Sequence, residues 1–138
     1  MDCDDALAMA RFWAIALGYV EKAPPEEWDS WDDWLRHFDV PEEEWNDGAA
    51  LTDPEGLLPA VSFSKVPEGK TAKNRLHLDL QVSGGRHLPA ATRTERIESM
   101  VGRLIEAGAT SLASYDQPDG SLDHVMMADP EGNEFCVV

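Results

Sequence analysis

A chain of 138 residues with 27 acidic and 11 basic side chains, formal net charge -16, is long enough to bury one core and is poorly suited to phosphate backbones or anionic membrane surfaces. Its only cysteines, Cys3 and Cys136, lie near opposite ends without a CxxC pair, which argues against a disulfide scaffold and fits a reducing compartment. No basic stretch leads into a long apolar run and no segment approaches the length of a spanning helix, so the expectation is a single-domain cytoplasmic protein that binds neither nucleic acid nor membrane.

Met1 to Cys3 reads as the stub of an opening strand. Asp4 and Asp5 can cap a helix over about Asp5 to Leu17, in which Leu7, Ala10, Ala14 and Leu17 recur at three- and four-residue steps and Gly18 can close the last turn. The stretch 24–46 places Trp28, Trp31, Trp34, Leu35 and Phe38 at roughly helical spacing among carboxylates. It predicts an added amphipathic helix, packed on a core or partner, or else a lid offering Trp34 to a flat or cationic ligand. Strands are predicted at Ala60 to Val66, Leu76 to Val82, Thr110 to Tyr115, Leu122 to Ala128 and Glu134 to Val138. A second helix, capped by Thr92 or Thr94, carries the stripe Ile97, Met100, Val101, Leu104 and Ile105 up to Gly108. Gln117-Pro118-Asp119-Gly120 supplies turn residues for an antiparallel hairpin.

The chain repeats itself. Asp53-Pro54-Glu55-Gly56 recurs as Asp129-Pro130-Glu131-Gly132, each followed by a strand-like run and preceded by a helix ending in glycine. From Gly18 to Asp53 is 35 residues and from Gly108 to Asp129 is 21, an excess of 14 that falls in the Trp-rich stretch. Two related halves are expected: module one at about 1–67 with the insertion at about 24–46, and module two at about 74–138.

With that duplication, the helix end Arg11-Phe12-Trp13-Ala14-Ile15-Ala16-Leu17-Gly18-Tyr19, the run from Val66 to Leu80 and the turn from Asp129 to Cys136, the sequence resembles the vicinal oxygen chelate superfamily, and within it the glyoxalase-like domain proteins. The resemblance implies an α+β fold of two βαβββ modules whose mixed sheet forms a cup with the helices outside. It also implies a homodimer and a small organic ligand. Metal-dependent members hold a divalent ion (Zn, Fe, Mn, Ni or Mg) with side chains from the first and last strands of each module.

On that pattern the first ligand position falls ahead of Met1, the second on His77, the third near Ser62 or Ser64, and the fourth on Cys136, with Glu134 on the same strand face. Alternation places His77, Asp79 and Gln81 on one face of their strand. Serine hydroxyls are weak partners for a divalent ion, so no cofactor is fixed and His77 is the one metal ligand assigned. Cys136 reads first as a small apolar filler. The remaining candidates are His77 and Glu134 for catalysis, and Asp79, Gln81, Cys136, Ser62, Ser64 and Trp34 for ligand contacts. His37, His87 and His124 are expected to be exposed, and Lys65, Lys70, Lys73 and Arg75 to pair with acidic neighbours. The reading is a small-molecule-binding protein of the glyoxalase/bleomycin-resistance type, the alternative a divalent-metal-dependent lyase, isomerase or dioxygenase.

Overall fold

A computed structural model describes all residues, 1–138. They form two compact units, one of residues 1–14 and 18–69 and one of residues 15–17 and 70–138. Each unit carries a four-stranded mixed sheet with the same strand order.

In the first, β1 (Asp2–Cys3) leads into α1 (Ala6–Leu17), followed by β2 (Val20–Glu21), β3 (Gly48–Thr52) and β4 (Val61–Lys65). The sheet order is β1-β4-β3-β2, with β1 parallel to β4 and the other pairs antiparallel. The Asp5 carboxylate caps α1 by accepting the Ala8 N–H at 2.8 Å, and Gly18 closes it in the left-handed region at φ 69°. Met9, Phe12 and Trp13 of α1 are buried, as are Leu51 and Phe63 of the sheet.

The second unit runs β5 (Leu78–Leu80), α3 (Ala90–Glu106), β6 (Thr110–Asp116), β7 (Leu122–Ala128) and β8 (Glu134–Val137). Its order is β5-β8-β7-β6, again with the opening strand parallel to the closing one. The α3 helix packs across β6, β7 and β8, and Ile97, Leu104, Val125, Met127, Phe135 and Val137 are buried. The chain is therefore an α+β protein of two βαβββ modules, and no helix is long and apolar enough to cross a membrane.

The repeated Asp-Pro-Glu-Gly segments are one turn used twice. The backbone N–H of Gly56 bonds the Asp53 carbonyl at 3.0 Å and that of Gly132 bonds the Asp129 carbonyl at 2.9 Å, both glycines at positive φ. Asp53 accepts the N–H groups of Glu55, Leu57 and Leu58; Asp129 accepts those of Glu131 and Asn133.

Four expectations are corrected, and two strands are added. The Trp-rich stretch is not one long helix: α2 covers only Trp31–His37, capped by Ser30, and a single 3-10 turn follows at Glu42–Glu44. Pro24, Pro25 and Pro41 bound the space available, and Asp39 leaves the helical region at φ 53°. The second helix begins at Ala90 behind Pro89, with no Thr92 or Thr94 cap, because the fixed φ of proline and two alanines start a helix readily. Strands β2 and β3, which a βαβββ module requires, have no strand range among those read from the sequence; β3 reads Gly-Ala-Ala-Leu-Thr and is held by neighbours on both sides rather than by propensity. The strand expected at Leu76 to Val82 shrinks to Leu78–Leu80, since the Asn74 side-chain amide, not a ladder N–H, takes the Glu134 carbonyl. His124 is not freely exposed but half-buried against Tyr115.

Candidate functional site

The parallel pairing of β5 with β8 sets Asp79 beside Cys136, and His77 precedes Asp79 by one strand period, on the same side. The result is a close group: His77 Nε2 lies 3.1 Å from Cys136 Sγ and 3.8 Å from Asp79 Oδ1. One donor atom from each of the three residues falls within 4.8 Å of the others. The His77 and Asp79 side chains are 41% and 56% exposed, whereas Cys136 is 7% exposed, so the imidazole and carboxylate overlie a buried thiol.

Burial, and next the Asp79 carboxylate, push the Cys136 thiol above its ordinary value. It therefore stays protonated near neutrality and can donate to His77 Nε2. Glu134 shares the Cys136 strand face two residues away, but it is ion-paired with Lys73. The Lys73 hydrogen bond holds the Glu134 carboxyl below its usual value against a smaller desolvation, with further help from Lys70 and His77.

The register extends this face across the sheet. Met126 pairs with Cys136 and His124 with Tyr115, so His124 and Met126 point to the same side as Cys136. The rings of Tyr115 and His124 stack at 4.5 Å, and His124 Nδ1 meets Asp123 Oδ2 at 3.0 Å. That hydrogen bond, with Arg86 and Gln117 nearby, keeps the Asp123 carboxyl low. The opposite face carries Val125, which lines a space of about 340 Å³ with Val101 and Ile105 of α3. The polar group thus lies on the face turned away from α3. Sequence reasoning missed Tyr115 and His124; only cross-strand register connects them to His77.

A sequence profile described as a glyoxalase-like domain matches residues 1–138. The chain belongs to the glyoxalase-like domain family. None of the curated proteins matches the sequence. Among solved structures, the chain is similar to a glyoxalase/bleomycin resistance protein/dioxygenase family enzyme from Burkholderia phytofirmans PsJN, at 17% identity and TM-score 0.57, covering 99% of this chain and 91% of that one. The fosfomycin resistance protein FosX from Mesorhizobium loti is 11% identical, TM-score 0.54, with 99% and 83% covered. A lactoylglutathione lyase from Agrobacterium tumefaciens is 12% identical, TM-score 0.52, with 99% and 86% covered. At these identities the likeness is one of fold, and activity has to be argued from the site.

In this glyoxalase-like chain the structure brings together His77, Asp79 and Cys136, with Glu134 beside them. Gln81 lies just past the end of β5, exposed and in phase with Asp79. Ser62 and Ser64 sit exposed on β4 of the first module, flanking buried Phe63. Trp34 belongs to α2 and lines a separate cavity within that module. Of the four basic connector residues, Lys65 pairs with Asp47 at 3.6 Å and Lys73 with Glu134. Neither cysteine is in a disulfide.

Proposed function

We propose that this chain is a small-molecule-binding protein of the glyoxalase/bleomycin-resistance type, and that its organic ligand rests on the second module's sheet against His77, Asp79 and Gln81, over Cys136. The observation that supports the reading is the convergence of an imidazole, a carboxylate and a thiol on a sheet face that α3 does not cover. A few polar groups at fixed positions are what orient a small ligand. Met126 and the Tyr115–His124 stack supply apolar and aromatic surface beside them. In this arrangement His77 is the group poised to hold or move a proton at Nε2, with Cys136 and Asp79 as its neighbours. Ser62 and Ser64 stay outside this seat.

Ligand-observed NMR with a panel of small aromatic and carbonyl-bearing compounds tests the reading. Binding that disappears in His77→Ala, at an unchanged melting temperature, supports it; a panel with no His77-dependent binder sinks it. We also infer a homodimer in the cytoplasm. A solution mass of twice the chain supports the dimer, and a single-chain mass contradicts it.

The same geometry favours a second reading. Three donors within 4.8 Å of one another fit a single divalent ion, and a Cys–His–carboxylate set suits zinc better than magnesium. His77, Asp79 and Cys136 would hold it, leaving a position for substrate, and the ion would act as a Lewis acid on a carbonyl or enolate oxygen. That would be the site of a divalent-metal-dependent lyase, isomerase or dioxygenase. Cys136 has to lose its proton to join such a set, and Glu134 remains tied to Lys73.

A further inference from the structure

We propose a second ligand site, in the first module: the cavity between the Trp-rich insertion and the sheet takes a compact organic cation. The cavity holds about 410 Å³, inside the range of small-molecule pockets. Its floor is Gly48, Ala49 and Ala50 of β3 with Phe63 of β4. Ala49, the β3 residue whose side chain faces the cavity opposite Phe63, leaves space that Val or Ile would fill. Phe63 and its partner Ala49 face the cavity, so alternation turns Ser62 and Ser64 to the other side of the sheet. The cavity is therefore separate from the position on which the family's third ligand would fall.

The walls come from the insertion: Trp31, Trp34 and Trp45. Trp31 donates its indole N–H to the Lys22 carbonyl at 2.7 Å and Trp45 donates to the Val40 carbonyl at 3.0 Å. With those donors engaged, the two rings are held in place and offer π surface rather than hydrogen bonds. An indole face attracts cations through its quadrupole, and this chain already does so once, with the Arg36 guanidinium 5.1 Å from the centre of Trp45.

Charge selects the same occupant. Glu21, Asp32 and Glu44 also line the cavity. Arg36 partly neutralises Asp32 at 3.4 Å, while no ion pair engages Glu21 or Glu44. An anion entering this cavity meets unbalanced carboxylates, a neutral compound gains apolar contact alone, and a cation gains both attractions.

Benzyltrimethylammonium is the probe, with benzyl alcohol and benzoate as neutral and anionic comparators. Binding is followed through the indole N–H resonances of the five tryptophans, assigned by single substitutions. The cation is expected to shift Trp31, Trp34 and Trp45, to bind about tenfold more tightly than benzyl alcohol, and to leave Trp13 unmoved, while benzoate shifts none of them. Ala49→Leu, which fills the cavity from its floor, and Trp34→Ala, which opens its wall, should each weaken binding about tenfold or more. Glu21→Gln with Glu44→Gln should weaken it several-fold and flatten its salt dependence. Melting curves confirm that each variant is folded. Equal response to benzoate, or no shift of the three cavity indoles at saturating probe, would overturn the proposal.

Discussion

The two modules share a strand order, an Asp-Pro-Glu-Gly turn and a helix closed by a left-handed glycine, yet almost nothing that carries chemistry is shared. In the second, the helix reaches 17 residues and packs on its own sheet, and the opposite face gathers His77, Asp79, Cys136 and the Tyr115–His124 stack. In the first, β3 is built of small residues and the extra segment arches three indoles over it. Features that repeat are those that close turns and start strands. Features that do not repeat are the candidate sites, which is the pattern expected when one scaffold is duplicated and its faces diverge.

The sharpest way to break the comparison is to remove the same aspartate from each copy of the turn. Asp129 is 3% exposed and accepts the N–H groups of Glu131 and Asn133 together with the Asn133 side-chain amide. Asp129→Ala leaves those donors without their partner and should cost about 2–3 kcal/mol in urea unfolding. Asp53 makes the equivalent bonds in solvent, so Asp53→Ala should lower stability by clearly less. Equal losses would mean that the turns are energetically alike despite their different burial.

A smaller effect is expected at the α1 cap. Asp5→Ala should cost about 1 kcal/mol. The Ala8 N–H, opposed by some desolvation and aided by Asn46, holds the Asp5 carboxyl below its ordinary 3.8. Because the folded value is the lower one, this stabilisation is complete above the ordinary value and is lost as the pH falls through the depressed one. Asp5→Asn keeps the cap and should remove that part of the acid limb, which unfolding at a series of acid pH values will show. The second module offers the reverse sign: Gly102 lies within α3 at an exposed position with nothing within 4 Å of an added Cβ. Gly102→Ala should raise stability by about 0.5–1 kcal/mol.

What the sequence made legible follows from the same physics. Helix α1 was readable because its cap, its apolar stripe and Gly18 are all local signals, and the repeated turn was readable because aspartate and glycine are both required by its hydrogen bonds and φ. Strand β3 was not, since Gly48, Ala49 and Ala50 mimic a loop until the flanking strands pair with them. His77 and Asp79 were placed on one face by alternation alone. Their meeting with Cys136 depends on the parallel β5–β8 register, which brings His77 to a residue 59 positions away and leaves no periodic trace. The Lys73 partner of Glu134 and the stacking of Tyr115 on His124 were hidden for the same reason.

Metal content of untagged protein, measured by mass spectrometry beside His77→Ala and Cys136→Ala, tests the central claim most directly. The account predicts metal well below one ion per chain, and no change in melting temperature on adding zinc. Near-stoichiometric metal in the wild type that is lost in His77→Ala would contradict it, and would make the His77–Asp79–Cys136 group the centre of a metalloenzyme.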